Sequence, residues 1–526
     1  MSRVFLYDTT LRDGSQGEGI SFSASDKMQI ARRLDEFGIH YIEGGFPGAN
    51  PKDIEFFQSA SKHRWMNAKL VAFGATRRKN TAVEDDAALA AILESGVSAA
   101  AIVAKFSRWQ AEQVLETTAE ENLAMIRDTV SYLKQRGLEV IVDAEHYFDG
   151  HKSDSHYARS CLDAAAGAGA DWIVLCDTNG GSLVEDVRKM TEIAVDLSPV
   201  PIGIHTHNDM DLATAGSLAG VIGGATQIQG TINGLGERCG NANLCAVVAN
   251  LQLKMGIECV STENLARLTE LSHFVSETAN LAPNSQMAYV GHSAFAHKAG
   301  YHASATAKVE HAYQHVDPAL VGNRQRILIS ELSGAGNVMA RTEQFGIKQS
   351  KTAAAKTAET LKLLESQGFQ FEGAEASFEL LVRRQEPDYQ PPFELLDFLT
   401  LVETRGGDAA VSEAMVKIRV GDDVFHTAAE GNGPVSALDA GTRKALLNAY
   451  PALDSVRLVD YKVRIVDSDS GTDASTRVLI DSTNGQEFWS TVGSSTNVVE
   501  ASWLALSDSF EYAIMLEENR VRGKSK

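Results

Sequence analysis

The chain has 526 residues, of which 44% are hydrophobic, and a formal net charge of −21. This length predicts two or three domains, and the acidic balance argues against nucleic acid as a partner, because that binding depends on Lys and Arg. No run of about 18 apolar residues occurs, so no membrane span is expected. The start "MSRVFLYDTT" lacks an apolar export segment, and the five cysteines form no C-x-x-C pair. We therefore expect a cytoplasmic protein with reduced thiols.

The first 280 residues alternate apolar, strand-like runs with helix-like segments. The first helical segment, "SASDKMQIARRLDEFG", begins with Ser23 and Ser25 as possible caps and ends at Gly38. Such alternation predicts a parallel (β/α)₈ TIM barrel. An open doubly wound sheet is the alternative, but no G-x-G-x-x-G motif follows the first strand. The predicted strands are 4–10, 41–47, 70–76, 99–105, 140–147, 172–178, 201–207 and 227–233.

Beyond residue 280 the pattern changes twice. We expect a connector over 281–400, including a helix that ends at Gly368 and a proline-rich break "EPDYQPPF". We expect a C-terminal α+β domain over 401–526. There, "VFHTAAEGNGPVSALDAGTRKALL" and "EFWSTVGSSTNVVEASWLALSDSF" each pass from a strand through a turn with Gly431 or Gly493 into a helix. The similarity predicts a βββα module that occurs twice.

Two histidines in "IGIHTHNDMD" stand at the end of the seventh predicted strand. Side chains alternate along a strand, so His205 and His207 point to the same face, with Cα atoms about 6.6 Å apart. Two imidazoles at this separation can share a divalent ion. An H-x-H pair alone is often an ordinary core or surface pair, but TIM barrels have their active sites at the carboxyl ends of their strands. The position therefore favours a metal site.

Further polar residues follow other strands of the predicted barrel. Asp13 comes just after strand one, and a carboxylate with two imidazoles leaves ion positions open for substrate. Asn241 in "GERCGNANL" offers an oxygen ligand, or is a turn asparagine. Glu145 and Thr178 close strands five and six. The neighbouring Arg12 is compatible with a plain surface ion pair, but five strand ends with polar groups predict a common site.

These residues resemble the signatures of a known family. Leu11-Arg12-Asp13-Gly14-x-Gln16 with the later Lys27, and His205-x-His207-Asn208-Asp209, are similar to the paired motifs of the 2-isopropylmalate, homocitrate and citramalate synthases. The stretches "YIEGGFPGANPKD" and "DAEHYFDGHK" are most similar to the long-form citramalate synthases. One departure is Asp211, where the family usually has Gly.

The resemblance implies a role for each matching residue. It implies a divalent cation (Zn, Mn or Mg) as cofactor, a keto-acid contact at Glu145 and Thr178, and an arginine on the keto oxygen at Arg12. The implied metal ligands are Asp13, His205, His207 and Asn241. His302 in "FAHKAGYHASA" matches the histidine proposed as the base, which reaches the barrel from the partner subunit; a connector histidine with a local hydrogen bond is the alternative. The general acid stays unassigned.

The family also implies the reaction. Acetyl-CoA as co-substrate would condense with pyruvate to give (R)-citramalate, which leads to isoleucine. Open alternatives are a larger 2-oxo acid, as in isopropylmalate or homocitrate synthesis, the reverse lyase reaction, a biotin-dependent carboxyltransferase, and a regulator with an inactive barrel. "AMVKI" resembles a biotinyl-lysine turn only superficially, because its lysine is displaced, which argues against a carboxyltransferase. The metal and substrate residues are all present, which argues against an inactive barrel.

The C-terminal domain of the family is regulatory, and its likeness implies a homodimer or higher homo-oligomer inhibited by a branched-chain amino acid, with isoleucine as the expected effector. Free amides at a helix N-terminus can bind a carboxylate, and apolar neighbours can accept an aliphatic side chain. Ordinary helix caps in a domain that only holds a dimer together are the alternative. The candidate residues of the two repeats are Gly431, Gly433, Val435, Gly493, Ser495 and Val498.

Overall fold

The computed structural model describes residues 3–297, 309, 312–327, 335–403, 411–466, 471 and 474–524. The chain forms two compact units. One consists of Met1–Phe295 with Gln314–Gln325, and the other of Ala296–Tyr313 with Arg326–Lys526. Among the described helices, none has both the length and the apolar character that crossing a bilayer requires.

The first unit contains a closed barrel of eight parallel strands in sequence order, so the predicted TIM barrel is confirmed. Strand β1 pairs with β2 on one side and with β8 on the other, which closes the barrel. The barrel strands are β1 (Phe5–Asp8), β2 (Tyr41–Gly45), β3 (Lys69–Ala75), β4 (Ala99–Lys105), β5 (Glu139–Glu145), β6 (Trp172–Asp177), β7 (Ile202–Thr206) and β8 (Gln227–Gly230).

Helices follow the strands and cover the outside of the barrel. The predicted start and end of the first helix are confirmed: the Ser23 side chain caps α1 in a capping box with Asp26, and Gly38 ends it with φ +99°. The helices of this unit are α1 (Ala24–Phe37), α2 (Pro51–Ala60), α3 (Ala87–Glu94), α4 (Ala119–Gln135), α5 (Tyr147–Ser153), α6 (Ser155–Gly167), α7 (Val184–Leu197), α8 (Ala213–Ile222), α9 (Leu244–Leu253), α10 (Thr262–Leu265) and α11 (Leu268–Thr278).

The barrel interior changes from apolar to polar along its axis. Because side chains alternate along a strand, every second residue faces inward. One inward cluster is apolar and aromatic: Tyr7, Tyr41, Val71, Ala99, Ala101, Ile141, Trp172 and Val174. Nearer the carboxyl ends of the strands, inward positions are polar and at most 5% exposed: Glu43, Asp143, His205 and Gln229. This polar part leads to the barrel mouth, the end at which the carboxyl ends of the strands lie.

The second unit contains two three-stranded antiparallel sheets, each followed by a helix, so the predicted duplication of a βββα module is confirmed. The predicted connector helix is also present and runs Lys351–Ser366. The elements of this unit are β9 (Ala296–His297), β10 (Arg326–Ile327), α12 (Ala335–Gln344), α13 (Lys351–Ser366), α14 (Glu375–Arg383), β11 (Glu394–Glu403), β12 (Val411–Val420), β13 (Asp423–Gly431), α15 (Pro434–Leu446), β14 (Arg457–Ile465), β15 (Thr476–Thr483), β16 (Phe488–Ser495) and α16 (Val498–Lys524).

The placement of Gly431 and Gly493 in turns is wrong. Gly431 is the last residue of β13 and Gly493 lies inside β16. A Cβ at Gly493 would lie 2.0 Å from the carbonyl oxygen of Ala501, and one at Gly431 would lie 2.5 Å from the amide nitrogen of Ala437. Both glycines therefore allow a strand to pack closely against the helix that follows it.

The expected domain boundaries stay predictions. Strand β11 spans the expected boundary between residues 400 and 401, and it pairs with β12 without a break from Asp397 to Glu403. The helix α14 also belongs to the C-terminal sheets by its contacts, because Ser377 Oγ accepts a hydrogen bond from the amide nitrogen of Val492 at 3.0 Å.

Candidate active site

Three predicted metal ligands come together at the barrel mouth. The Nε2 atoms of His205 and His207 lie 3.0 Å apart. Asp13 Oδ2 lies 3.4 Å from the first of these nitrogens and 3.7 Å from the second. Among the described residues, these three form the group of ligand side chains suited to a metal ion. Two atoms that each bind one ion at about 2.1 Å are themselves about 3.0–3.4 Å apart at common coordination angles. Two of the three distances lie in this range, and the distance from Asp13 to His207, 3.7 Å, is slightly longer.

The charges around this cluster favour an ionised carboxylate. Burial opposes ionisation of Asp13, but the Arg12 guanidinium and the two neighbouring histidines outweigh it and hold the Asp13 pKa well below its ordinary value. Burial likewise opposes the charged form of His205, but Asp13 raises the His205 pKa above its ordinary value.

Asn241, the fourth predicted ligand, lies beside His207. Its backbone forms an antiparallel bridge with His207, so the loop after β8 lies against the end of β7. Its Nδ2 donates to the carbonyl oxygen of Leu235 at 3.0 Å. Its Oδ1 is buried and has no hydrogen-bond partner among the residues the structure describes. A buried carbonyl oxygen without a partner costs free energy, and a cation would remove that cost. The donor set of carboxylate, two imidazoles and amide oxygen therefore fits a divalent metal.

His207 has a competing contact on its other nitrogen. Arg238 Nη2 lies 2.7 Å from His207 Nδ1. A guanidinium only donates, so Nδ1 accepts and the His207 proton is on Nε2. A cation at Nε2 would displace that proton, so the tautomer of His207 must change on binding. Arg238 is also held by both carboxylate oxygens of Asp209, at 2.7 and 2.9 Å, and by the carbonyl oxygen of Thr178 at 3.0 Å.

Arg12 is anchored from inside the barrel. Its Nε donates to Glu43 Oε1 at 2.5 Å, and the Tyr7 hydroxyl donates to the other oxygen of Glu43 at 2.5 Å. The guanidinium carbon lies 4.0 Å from the centre of the Phe73 ring. Burial disfavours the charged guanidinium, but Glu43 and Asp13 raise the Arg12 pKa further above its ordinary value. The alternative of a surface turn does not hold, because the Arg12 side chain is only 14% exposed and its Nη1 lies 3.6 Å from Asp13 Oδ2 of the metal-ligand cluster.

Glu145 and Thr178 lie at the ends of neighbouring strands. Glu145 forms an ion pair with Lys105, its register partner at the end of β4. The Thr178 hydroxyl accepts a hydrogen bond from the amide nitrogen of His146 at 2.8 Å, so its proton is free to be donated elsewhere. Both predicted substrate contacts therefore offer polar atoms at the mouth, and Lys105 adds a cation that the sequence analysis did not include.

Asp211 takes the place of the usual glycine without loss of the local turn. Its φ is +58°, in the left-handed region that favours Gly but that Asp tolerates better than most residues. The Asn208 side chain donates to Asp211 Oδ1 at 3.2 Å, and the amide of Asp211 donates to the carbonyl oxygen of Asn208 at 2.8 Å. The departure from the motif is therefore conformationally conservative.

Other predicted residues lie elsewhere. His302 lies outside the described residues.

In the second unit, Gly433 precedes α15 with extended backbone and has no side chain with which to cap it. The N-terminus of α16 is different, because the Asn497 side chain accepts from the amide nitrogen of Val499 at 2.9 Å, and Ser495 Oγ donates to the Glu500 carboxylate at 2.6 Å. The α15 N-terminus, next to Val435, is thus more accessible to a ligand than the one at Val498.

The sequence analysis missed five residues that support the cluster: Glu43, Lys105, Asp143, Gln229 and Arg238. The signal that could have identified the first four is strand alternation. Each lies an even number of residues from another inward-facing position of its own strand, and a polar residue there must find a partner inside the barrel. Arg238 lies in a loop, where no such periodicity applies.

Comparison with known proteins agrees with this arrangement. The model of the HMGL-like family matches residues 3–275, the homocitrate synthase post-HMGL domain-like family matches residues 289–368, and the LeuA allosteric (dimerisation) domain matches residues 372–514. The first match covers the barrel with its metal-ligand cluster, and the third covers both βββα modules. The chain therefore combines a barrel of the HMGL-like family with a C-terminal domain of the LeuA type.

Full-length relatives define the family more closely. The chain is 49% identical to the (R)-citramalate synthase of Aquifex aeolicus over 98% of each chain, and 48% identical to that of Geobacter sulfurreducens over the whole of both. It is 30% identical to a probable 2-isopropylmalate synthase of Methanopyrus kandleri over 91% of each chain. The chain belongs to the 2-isopropylmalate, homocitrate and citramalate synthase family, whose members are condensing enzymes of the acyltransferase class.

Proposed function

We propose that the chain condenses acetyl-CoA with pyruvate to give (R)-citramalate and CoA, as a step towards isoleucine. The observation that carries the proposal is the group of Asp13, His205, His207 and Asn241 beside Arg12 at the barrel mouth, in a chain 49% identical to a named (R)-citramalate synthase. Condensation forms a bond between the methyl carbon of acetyl-CoA and the keto carbon of pyruvate, and water then cleaves the thioester.

The metal-ligand cluster would hold a divalent cation. When bound, such a cation polarises a keto group as a Lewis acid and stabilises the negative charge that develops on its oxygen. The Nη groups of Arg12 would donate to that same oxygen, and the hold of Glu43 on Nε keeps them oriented before substrate binds. The Thr178 hydroxyl and the Lys105–Glu145 pair would bind and orient the keto acid.

A base must also remove a methyl proton from acetyl-CoA. We assign this role to His302, in accordance with the family resemblance, because an imidazole with an ordinary pKa near 6.5 suits a base at neutral pH. The side chain would receive the proton as the new carbon–carbon bond forms.

A larger 2-oxo acid is the second candidate substrate. The same cluster would serve, and a relative named as a probable 2-isopropylmalate synthase is 30% identical to the chain. The higher identity to (R)-citramalate synthases favours pyruvate. A pocket discriminates by about 1–3 kcal/mol for each methylene group, so pyruvate should exceed 2-oxoisovalerate by at least about tenfold in kcat/KM.

The test is a panel of pyruvate, 2-oxobutyrate, 2-oxoisovalerate and 2-oxoglutarate with acetyl-CoA. Products should be separated by chromatography, because Cys239 is exposed and would react with thiol reagents used to detect CoA. Equal rates, or a preference for the branched acid, would assign the chain to isopropylmalate synthesis instead.

We further propose that the second unit binds a branched-chain amino acid, isoleucine first, and that the protein is a homodimer. The match to an allosteric (dimerisation) domain supports both statements. The uncapped amides at the start of α15 and the half-buried Val435 support a site for an aliphatic amino acid.

A further inference from the structure

Gln229 lies directly behind the metal-ligand cluster, on β8 inside the barrel. Its Oε1 lies 2.9 Å from His205 Nδ1, and its Nε2 donates to Asp143 Oδ1 at 3.1 Å. All three side chains are buried, with Gln229 0%, Asp143 4% and His205 5% exposed. Solvent therefore does not compete with these hydrogen bonds, and each carries its full directional effect.

The partners of Gln229 determine which way its amide points. Asp143 Oδ1 is an acceptor whether Asp143 is ionised or carries a proton on its other oxygen, so the NH₂ group of Gln229 faces Asp143. The amide oxygen consequently faces His205. An oxygen accepts only, so Nδ1 of His205 must carry the proton, and Nε2 keeps a lone pair.

That lone pair points at the cluster. His205 Nε2 lies 3.0 Å from His207 Nε2 and 3.4 Å from Asp13 Oδ2. An imidazole binds a metal only through an unprotonated nitrogen. The direction of the Gln229 amide is thus compatible with His205 as a ligand, whereas the reversed amide would put the proton on Nε2.

We propose that Gln229 is a positioning residue that fixes His205 in its metal-binding tautomer, with Asp143 fixing the direction of the Gln229 amide. The inference rests on the proposed function only in that the cluster binds a divalent cation. Hydrogen-bond partners of this kind change metal affinity by about 10–100-fold when they are removed.

The same strand supplies a matched control. Gln227 is also a buried glutamine, two residues earlier, and neither of its amide atoms has a partner in the described part of the chain.

The experiment measures Mn²⁺ binding to the full-length, metal-stripped protein by isothermal titration calorimetry, without any substrate. Gln229→Met keeps the shape of the side chain but removes the acceptor, and Mn²⁺ affinity should fall about 10–100-fold. Gln227→Met should leave affinity within about threefold of the unsubstituted protein, which corresponds to an indirect effect of at most about 0.65 kcal/mol. Gln229→Glu combined with Asp143→Asn restores an acceptor at His205 and a donor at residue 143, and should recover most of the affinity.

Each result decides a separate point. Unchanged affinity in Gln229→Met, or an equal loss in Gln227→Met, would overturn the positioning role. If Gln229→Met does not fold, the Gln229→Glu/Asp143→Asn double variant is the test. A folded double variant that binds Mn²⁺ as weakly as a His205→Ala protein would also overturn the positioning role. An unsubstituted protein that binds neither Mn²⁺ nor Zn²⁺ would instead overturn the metal assignment within the proposed function, and this inference with it. All of these conclusions use Mn²⁺ affinity, and none of them uses enzymatic activity.

Discussion

At the barrel mouth, the role open to a side chain depends on which of its polar atoms already form hydrogen bonds within the protein. Glu43 occupies Nε of Arg12, and Leu235 occupies Nδ2 of Asn241. Within the described part of the chain, the Nη groups of the arginine and Oδ1 of the asparagine have no hydrogen-bond partner, and Nη1 lies 3.6 Å from Asp13 Oδ2. Both lie where the proposed reaction needs a cation or binds one. Chemistry at this scale follows from which hydrogen-bonding positions the fold leaves open.

His207→Ala tests the cluster at the level of one side chain. Loss of one imidazole removes a ligand whose Nε2 lies 3.0 Å from its neighbour, and a Lewis acid contributes several kcal/mol to such a reaction, so kcat/KM should fall at least about 100-fold. Steady-state kinetics with pyruvate and acetyl-CoA provide the measurement, and His156→Ala, on the exposed side of α6, is the control. Activity above about a tenth of the unsubstituted protein in the His207 variant would refute the assignment.

At the scale of elements, much of the site follows from strand periodicity. Alternation along β7 places His205 and His207 on one face, and closure of the barrel brings Asp13 to them, so these contacts could be predicted. The Asp143–Gln229 contact could not, because it joins β5 and β8 across the barrel and depends on their relative register. Gly431 and Gly493 were misplaced for a related reason: a glycine that a turn requires and a glycine that helix packing requires look alike in sequence.

Lys27 shows that a motif residue can be structural. Its ammonium group donates to the carbonyl oxygen of Gly44 at 3.0 Å and forms a buried ion pair with Asp53, and thereby joins α1, β2 and α2. Removing one partner of a buried pair costs about 3–5 kcal/mol. Lys27→Met should therefore lower the melting temperature markedly, by differential scanning calorimetry, and leave kcat of the folded fraction nearly unchanged. Arg32→Ala, at an exposed position of the same helix, should alter neither.

A normal melting temperature with a large loss of kcat would mean that Lys27 takes part in the chemistry. If both the melting temperature and kcat fall, the double variant Lys27→Met with Asp53→Asn separates the two roles. It removes the unpaired buried carboxylate and should recover part of the stability.

The N-terminus of α15 offers a test of regulation. Gly433 has extended backbone, and a Cβ there would meet open space. Gly433→Asp therefore should fold, and its carboxylate would cap the amides that a ligand carboxylate would need. Condensation should continue while inhibition by isoleucine weakens at least tenfold in half-maximal concentration, measured from initial rates. Unaltered inhibition would exclude this helix end. If the unsubstituted protein ignores isoleucine, leucine and valine at millimolar levels, the second unit is not a sensor for these amino acids.

At the scale of the whole molecule, the second unit exposes apolar side chains that a lone copy leaves in water. Leu399 and Leu401 on β11 are each 55% exposed, and Leu399 pairs in register with Met415 of β12, which is 44% exposed. The opposite face of this sheet is covered by α15. An open apolar sheet face is typical of an interface, and the match to a dimerisation domain agrees with this reading.

Leu399→Asp should separate the proposed dimer, because a carboxylate at the centre of an apolar interface would be buried without a partner. Sedimentation velocity should show a halved mass. If His302 reaches the barrel from the partner subunit, the monomer should lose condensation by at least about 100-fold, as expected when a general base is removed, and still bind Mn²⁺ through its own cluster. The control is Lys444→Gln, an exposed neutralising change on α15, the helix that covers the opposite face of this sheet. A fully active monomer would show that each barrel carries its own base.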